Sequence, residues 1–194
     1  MLKETIFLIW TDTAWKTSRV SKICEVKNSV NTWLAILREG EFNLNDVTMR
    51  EIVLIKESTK ELVFDRCSID LMAYELSKEI RSDEEENMIK SKFEVLITNK
   101  YEKYLNNFLS NNAWGVISYL YTTKEIMLER MWKRPKDTLS NFDKRLLNEE
   151  GLFEVYKIIF DELLNKLEEL NMKKAVSERM IILKQDTSAT ELYN

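Results

Sequence analysis

Glycine and proline are scarce in this chain, and their scarcity limits the folds that the chain can adopt. Among 194 residues there are three glycines and one proline. All-β sandwiches and barrels need many tight turns, which depend on these two residue types. The composition therefore favours helices. Apolar residues make up 44% of the chain and charged residues 32%, which is typical of one folded domain rather than of a disordered segment.

The first third of the chain is predicted to be rich in β-structure. An apolar run at 6–10 indicates one strand, and polar–apolar alternation over 19–26 indicates a second. Residues 30–39 change to a helical period. Residues 51–65 contain two β-branched runs around Glu-Ser-Thr-Lys, which predicts a hairpin with a four-residue loop. The predicted order of elements over residues 1–66 is ββαββ.

The remainder of the chain is predicted to be mostly helical. Apolar residues over 152–172 recur about every 3.6 residues, which predicts a straight amphipathic helix packed on a core. Residues 114–121 are apolar, aromatic and β-branched, so a buried strand and a buried helix are both compatible with that segment. A helix is expected over 123–133, and strand-like residues over 180–184 predict a short C-terminal strand.

These elements define an α+β fold class. We expect a ββαββ-like part over 1–66 packed with a helical part over 68–173. A composition shift divides the chain into a β-rich subdomain, 1–67, and a mostly helical subdomain, 68–194, which are expected to share one core. A chain of this length can bury a stable core without a metal or a disulfide.

The sequence also carries signals about location. The chain begins with Met-Leu-Lys-Glu and shows no export signal, so a cytoplasmic protein is expected, with Cys24 and Cys67 as two reduced thiols. Residues 104–123 are nearly uncharged but are interrupted by asparagine, glycine and serine, so no membrane span is predicted. The Lys/Glu/Asn/Ile-rich composition indicates an AT-rich genome, such as that of a low-GC bacterium or its phage.

The absence of histidine constrains the chemistry most strongly. Without histidine the chain cannot form a Ser-His-Asp or Cys-His catalytic arrangement, and most zinc and iron sites are excluded. The sequence also contains neither G-x-G-x-x-G nor G-x-x-x-x-G-K-[ST], the two common phosphate-binding loops. We therefore predict no cofactor and favour a non-catalytic role.

One enzymatic pattern is present near the N-terminus. Asp12 follows the first predicted strand, and Glu25 and Lys27 close the second. This spacing resembles the Asp…Glu-x-Lys arrangement of restriction-endonuclease-like nucleases, in which two carboxylates hold Mg²⁺ and the lysine orients the attacking water. The alternative is an exposed charge pair on a hairpin, which is the more common origin of so short a motif.

Two groups of residues are candidates for partner binding. Trp15 lies in a polar segment, and aromatic residues in loops are frequent at interaction sites. A basic-aromatic cluster surrounds Pro135 and consists of Arg130, Trp132, Lys133, Arg134 and Lys136. The cluster could bind an acidic partner or a few phosphates. Alternatively, its cations complement a helix C-terminus while Trp132 packs inward.

We therefore expect a non-catalytic protein–protein interaction module, such as an inhibitor or accessory factor of a larger complex, encoded by a phage or mobile element. A protein partner is favoured over nucleic acid, because the net charge of −4 gives no extended basic surface. No membrane partner is predicted, and homodimerisation is an open alternative. The other hypotheses are a Mg²⁺-dependent endonuclease and a nucleic-acid-binding regulator that uses the basic-aromatic cluster.

Overall fold

A five-stranded sheet forms the centre of the molecule. The structure is a computed structural model that describes residues 5–9, 24–25, 30–32, 43–135 and 139–186. Its strands are β1 (Thr5–Ile9), β2 (Val30–Thr32), β3 (Leu62–Phe64), β4 (Val116–Tyr121) and β5 (Ile181–Asp186). They lie in the order β2-β3-β1-β4-β5. Strands from both halves of the chain therefore share one sheet.

Every pairing between the described strands is parallel. Phe7 of β1 lies opposite Phe64 of β3 on one side and opposite Ile117 of β4 on the other. Parallel neighbours require a crossover connection between them, usually a helix. The carboxyl ends of all five strands consequently meet at the same edge of the sheet.

Seven helices of eight or more residues accompany the sheet in the described part of the chain. They are α1 (Leu44–Glu57), α2 (Ser68–Glu79), α3 (Glu86–Leu96), α4 (Glu102–Asn111), α5 (Lys124–Trp132), α6 (Asn141–Asn148) and α7 (Leu152–Met172). A π-helical turn (Ile97–Tyr101) joins α3 to α4, and a 3₁₀ turn (Val176–Glu178) precedes β5.

Side-chain caps explain where several of these helices begin. The Asn43 side chain accepts a hydrogen bond from the Asp46 N–H at 3.1 Å, which starts α1. Ser140 and Asp143 cap each other's backbone amides at the start of α6. Such caps satisfy amide groups that have no partner within the helix.

Aromatic rings form the core on one face of the sheet. Phe7 is fully buried and stacks on Phe64 at 4.8 Å between ring centroids, and Phe108 of α4 packs against it at the same distance. Further along this face, Tyr119 of β4 stacks on Phe160 of α7 at 5.6 Å. Helices α4 and α7 therefore cover this face of the sheet.

The α+β class and the short C-terminal strand are confirmed. Helix α7 has the bounds that its periodicity predicts, and its predicted apolar stripe is buried: Leu152, Tyr156, Ile159, Leu163, Leu167 and Leu170. Residues 116–121 form a strand, which resolves the ambiguity over that segment. The helix expected over 123–133 is α5.

The predicted hairpin over 51–65 is wrong. Residues 51–57 belong to α1, and Leu62–Phe64 pairs in parallel with β1. Leu44, Val47 and Glu51 of α1 are buried at a helical spacing. Packing of this face and the Asn43 cap thus override the β-propensity of the run at 52–55.

Two further assignments in the first third are also wrong. Cys24 and Glu25 are helical, although a strand was predicted over 19–26, and Val30–Thr32 is a strand where a helix was predicted over 30–39. Parallel pairing of Val30–Thr32 with β3 accounts for the second difference, because a three-residue strand is defined by its partner rather than by its own sequence pattern.

Candidate functional site at the carboxyl edge of the sheet

The strand order selects one part of the sheet as the place for a ligand. From β1 the chain moves to the edge strand β2, returns to β3 and then crosses over β1 to β4. Strand β1 is therefore the point at which the order reverses. In open parallel sheets, ligands bind in the crevice outside the carboxyl ends of the strands at such a switch point.

Asp65 and Arg66 follow β3 directly and lie at this switch point. Because Phe64 is opposite Phe7, the two residues lie beside the last residues of β1. Asp65 is only 2% exposed, and Arg66 is partly buried. The connection that carries them into α2 is three residues long, ending with Cys67.

Arg66 has the properties of an anion ligand. No ion pair joins its guanidinium to a carboxylate of the described residues. Burial raises the pKa of the Tyr156 hydroxyl well above its ordinary value and Asp70 adds to this rise, whereas the charge of Arg66 lowers it. Partial desolvation of a cation without a counter-ion is unfavourable, and a guanidinium binds carboxylate and phosphate groups through paired hydrogen bonds. This position therefore suits an anionic ligand.

A buried hydroxyl lies at the end of β4, which is on the other side of β1 from β3. Thr122 follows β4, and its side chain is almost fully buried. Within the described ranges its Oγ1 has no hydrogen-bond partner. Buried hydroxyls in folded proteins normally have a partner, either protein, water or ligand. Thr122 thus adds hydrogen-bonding capacity at the same edge of the sheet.

Carboxylates fix the turn that carries Arg66. Asp70 Oδ2 accepts a hydrogen bond from the Cys67 N–H at 2.9 Å. Glu51, which comes from α1, accepts hydrogen bonds from the Ser68 N–H and from Ser68 Oγ, the latter at 2.7 Å. These contacts engage the amides at the N-terminus of α2, so the candidate position for an anion is Arg66 rather than that helix end.

Aromatic side chains connect this edge to the helices. Phe142 of α6 packs against Tyr156 of α7 at 4.6 Å, and Tyr156 packs against Phe160 at 5.0 Å. Phe160 in turn stacks on Tyr119 of β4. Burial raises the pKa of Tyr119 far above its ordinary value, and Asp161 contributes to this rise. Both tyrosines therefore remain neutral and can act as hydrogen-bond donors.

One residue of the predicted nuclease pattern, Glu25, lies within the described residues. Glu25 is exposed and lies in a helical segment, so its predicted place on a strand is wrong. Asp12 and Lys27 lie outside the described residues. No group of three or more aspartate, glutamate or cysteine side chains in the described part of the chain could hold a metal ion.

The basic-aromatic cluster lies at and beyond the end of α5. Trp132 is 73% exposed, so the alternative in which it packs inward is wrong. Lys133 forms an ion pair with Glu129 at 2.5 Å. Lys136 lies outside the described residues, as does Trp15.

Arg66 was not predicted as a site residue from the sequence. The eight residues after β1 nevertheless contain a spacing of residue types that indicates a ligand site at this edge of the sheet. They are Trp10-Thr-Asp-Thr-Ala-Trp-Lys16-Thr17, and they lie outside the described ranges. In a P-loop, a strand is followed by G-x-x-x-x-G-K-[ST] and a helix. Here Lys16 and Thr17 have the required spacing from the end of β1, whereas Trp10 and Trp15 occupy both glycine positions.

Comparison with protein-family models and with curated proteins found no match for this chain. In the described ranges, no helix has the length and apolar character needed to cross a membrane. Cys24 and Cys67 are both free thiols, the first partly buried and the second fully buried.

Proposed function

We propose that this protein is a binding module that takes a phosphate-bearing ligand of the nucleotide class at the carboxyl edge of its sheet. Arg66 would bind the phosphate, and the hydroxyl of Thr122 would supply a further hydrogen bond. The lack of histidine and of a glycine-rich loop favours binding without turnover.

The observation that carries this proposal is the position of Arg66. A partly buried arginine without a carboxylate partner among the described residues lies at the switch point of a parallel sheet. The place is the one where such sheets bind ligands, and the residue is the one best suited to phosphate. Either feature alone would be common, but their coincidence supports an anion site.

The sequence after β1 supports the nucleotide class in particular. Lys16 and Thr17 match the two P-loop residues that contact phosphate and its Mg²⁺. The tryptophans at both glycine positions carry side chains where that loop requires close approach of the backbone to phosphate. This difference argues for a changed mode of binding and against efficient phosphoryl transfer.

Replacing Arg66 with alanine is expected to weaken binding of pyrophosphate, AMP or ATP about 10- to 100-fold. The reason is that a hydrogen bond to a charged group contributes about 1.5–3 kcal/mol, and 1.4 kcal/mol corresponds to a factor of ten. Isothermal titration calorimetry of the wild type and the variant measures the effect. Adenosine, which lacks phosphate, should bind at least tenfold more weakly than AMP.

Arg81→Ala is the matched control for this experiment. Arg81 is exposed and pairs with Asp83 at 2.7 Å, away from the end of β3. Its removal should leave the affinity unchanged. Equal affinities of the wild type and the Arg66→Ala variant, or no binding of any phosphate compound by the wild type, would refute the proposed site.

We propose binding of a protein partner as a second function, which a separate observation supports. Trp132 is the most exposed of the described tryptophans, and it ends a helix that begins at the carboxyl edge of β4. Tryptophan is among the residues that most often dominate binding energy at protein interfaces. Its exposure supports the inhibitor or accessory-factor role that the sequence suggests.

Trp132→Ala is expected to weaken capture of such a partner at least tenfold, since truncation of an interface hot spot removes about 2 kcal/mol or more. Affinity capture from cells of the source organism, quantified by mass spectrometry, measures this loss. Met172→Ala is the control, because Met172 is also exposed and apolar but lies at the far end of α7. Equal capture by the Trp132→Ala variant would contradict this second proposal.

A further inference from the structure

Side chains from two helices form hydrogen bonds with the turn between β3 and α2: one belongs to α2 itself and the other to α1. Asp70 binds the Cys67 amide from α2 itself. Glu51 reaches across from α1 and accepts two hydrogen bonds from Ser68, the first residue of α2. Arg66 lies between this attachment and the end of β3, so both ends of its short connection are fixed.

The chemistry of Glu51 is unusual for a residue that only stabilises the fold. Its side chain is 2% exposed, and no lysine or arginine in the described part of the chain pairs with it. Removing a carboxyl group from water without a counter-ion is costly, and an apolar residue of similar volume often gives equal or greater stability. A role in positioning the turn that carries Arg66 explains why residue 51 is a glutamate.

We propose that Glu51 is a positioning residue for the anion site, holding the turn of Arg66 in register with the end of β1 through its two hydrogen bonds to Ser68. This inference rests on the proposed function and deepens it. Preorganisation of a binding side chain by a buried second layer of hydrogen bonds is a general requirement for tight sites.

The groups that face Glu51 make this contact sensitive to protonation. Burial raises the pKa of Glu51 to about 8, and the charge of Asp70 adds to the rise while the two hydrogen bonds from Ser68 oppose it. Cys67 also faces this pair, and burial raises the pKa of its thiol well above the ordinary value. Glu51 is therefore the group in this cluster that titrates just above neutral pH, and its ionisation places a negative charge close to the anion site.

Three variants test the inference by titration with pyrophosphate. Glu51→Ala removes both hydrogen bonds and should weaken binding at least tenfold. Glu51→Gln retains an acceptor for the Ser68 amide and should bind within about twofold of the wild type at pH 6. Ser68→Ala removes only the bond from the hydroxyl and should give an intermediate loss.

A pH series tests whether residue 51 lies close enough to the bound anion to repel it when ionised. Between pH 6 and pH 9 the affinity of the wild type should fall relative to that of Glu51→Gln, because only the wild type acquires a charge at residue 51. Taking the ratio of the two affinities cancels the titration of pyrophosphate itself. If Glu51→Ala does not fold, the Ser68→Ala variant decides the positioning role, and an affinity equal to that of the wild type would overturn it.

The outcomes distinguish this inference from the proposed function. If Arg66→Ala weakens binding and folded Glu51→Ala does not, the positioning role is wrong and the anion site stands. A ratio that stays constant from pH 6 to pH 9 would contradict the placement of Glu51 close to the bound anion. If neither the wild type nor any variant binds pyrophosphate, the proposed function itself fails.

Discussion

Replacing Phe7 with alanine is expected to lower the free energy of unfolding by about 3–5 kcal/mol. Phe7 is fully buried on the central strand β1, and its ring contacts Phe64 and Phe108 at 4.8 Å each. Truncation would remove the apolar contacts of the ring and leave a cavity between the sheet and α4, which rigid neighbours on three elements can only partly fill.

Urea unfolding at neutral pH measures this loss as a lower midpoint with an unchanged slope. Val95→Ala is the control, because Val95 is 59% exposed on α3 and its truncation should change stability by less than about 0.5 kcal/mol. A loss below about 1 kcal/mol for Phe7→Ala would contradict the placement of β1 at the centre of the sheet.

The second large effect is a decrease in stability with rising pH that depends on Glu51. Its pKa is about 8 in the folded protein and near its ordinary value of 4.5 in the unfolded chain. Between these values the folded state binds one more proton than the unfolded state, so the stability contributed by neutral Glu51 is present below pH 4.5 and is lost as the pH rises to about 8. Between pH 5 and pH 8 this loss amounts to about 3–4 kcal/mol.

Urea unfolding of the wild type and of Glu51→Gln at pH 5 and pH 8 isolates this contribution. Other groups titrate equally in both proteins, so the difference between the two pH profiles belongs to residue 51. The wild type should lose more stability than the variant over this range. Parallel profiles would show that Glu51 titrates alike in the folded and unfolded states.

The sequence was most informative where one segment determines its own structure. Helix α7 could be predicted over its full length because its buried residues repeat with the helical period. The cap of α6 is also local, since Ser140 and Asp143 interact within one turn. In both cases the deciding contacts are local or follow from a single apolar face.

Prediction failed where a distant partner determines the structure. Strands β2 and β3 have three residues each, and their parallel partners come from other parts of the chain. The run at 52–55 has β-propensity but forms a helix because α1 packs through Leu44, Val47 and Glu51. Such context is absent from any short window of sequence.

Distant parts of the chain also determine the candidate site. In the sequence, nothing distinguishes Arg66 from other arginines that follow an apolar run. The strand order shows that it lies beside the end of β1. Glu51 belonged to the wrongly predicted hairpin, so its contact with Ser68 could not be anticipated. Trp132 was identified from its basic surroundings, and its exposure required the structure.

The most direct test of the account is to locate a bound anion. In a crystal soaked with tungstate, a phosphate analogue that is visible by anomalous diffraction, we expect a peak within hydrogen-bonding distance of the Arg66 guanidinium. The peak should be absent from crystals of the Arg66→Ala variant. Tungstate bound only at exposed cations such as Arg81, or retained at the carboxyl edge without Arg66, would contradict the assignment of Arg66 as an anion ligand.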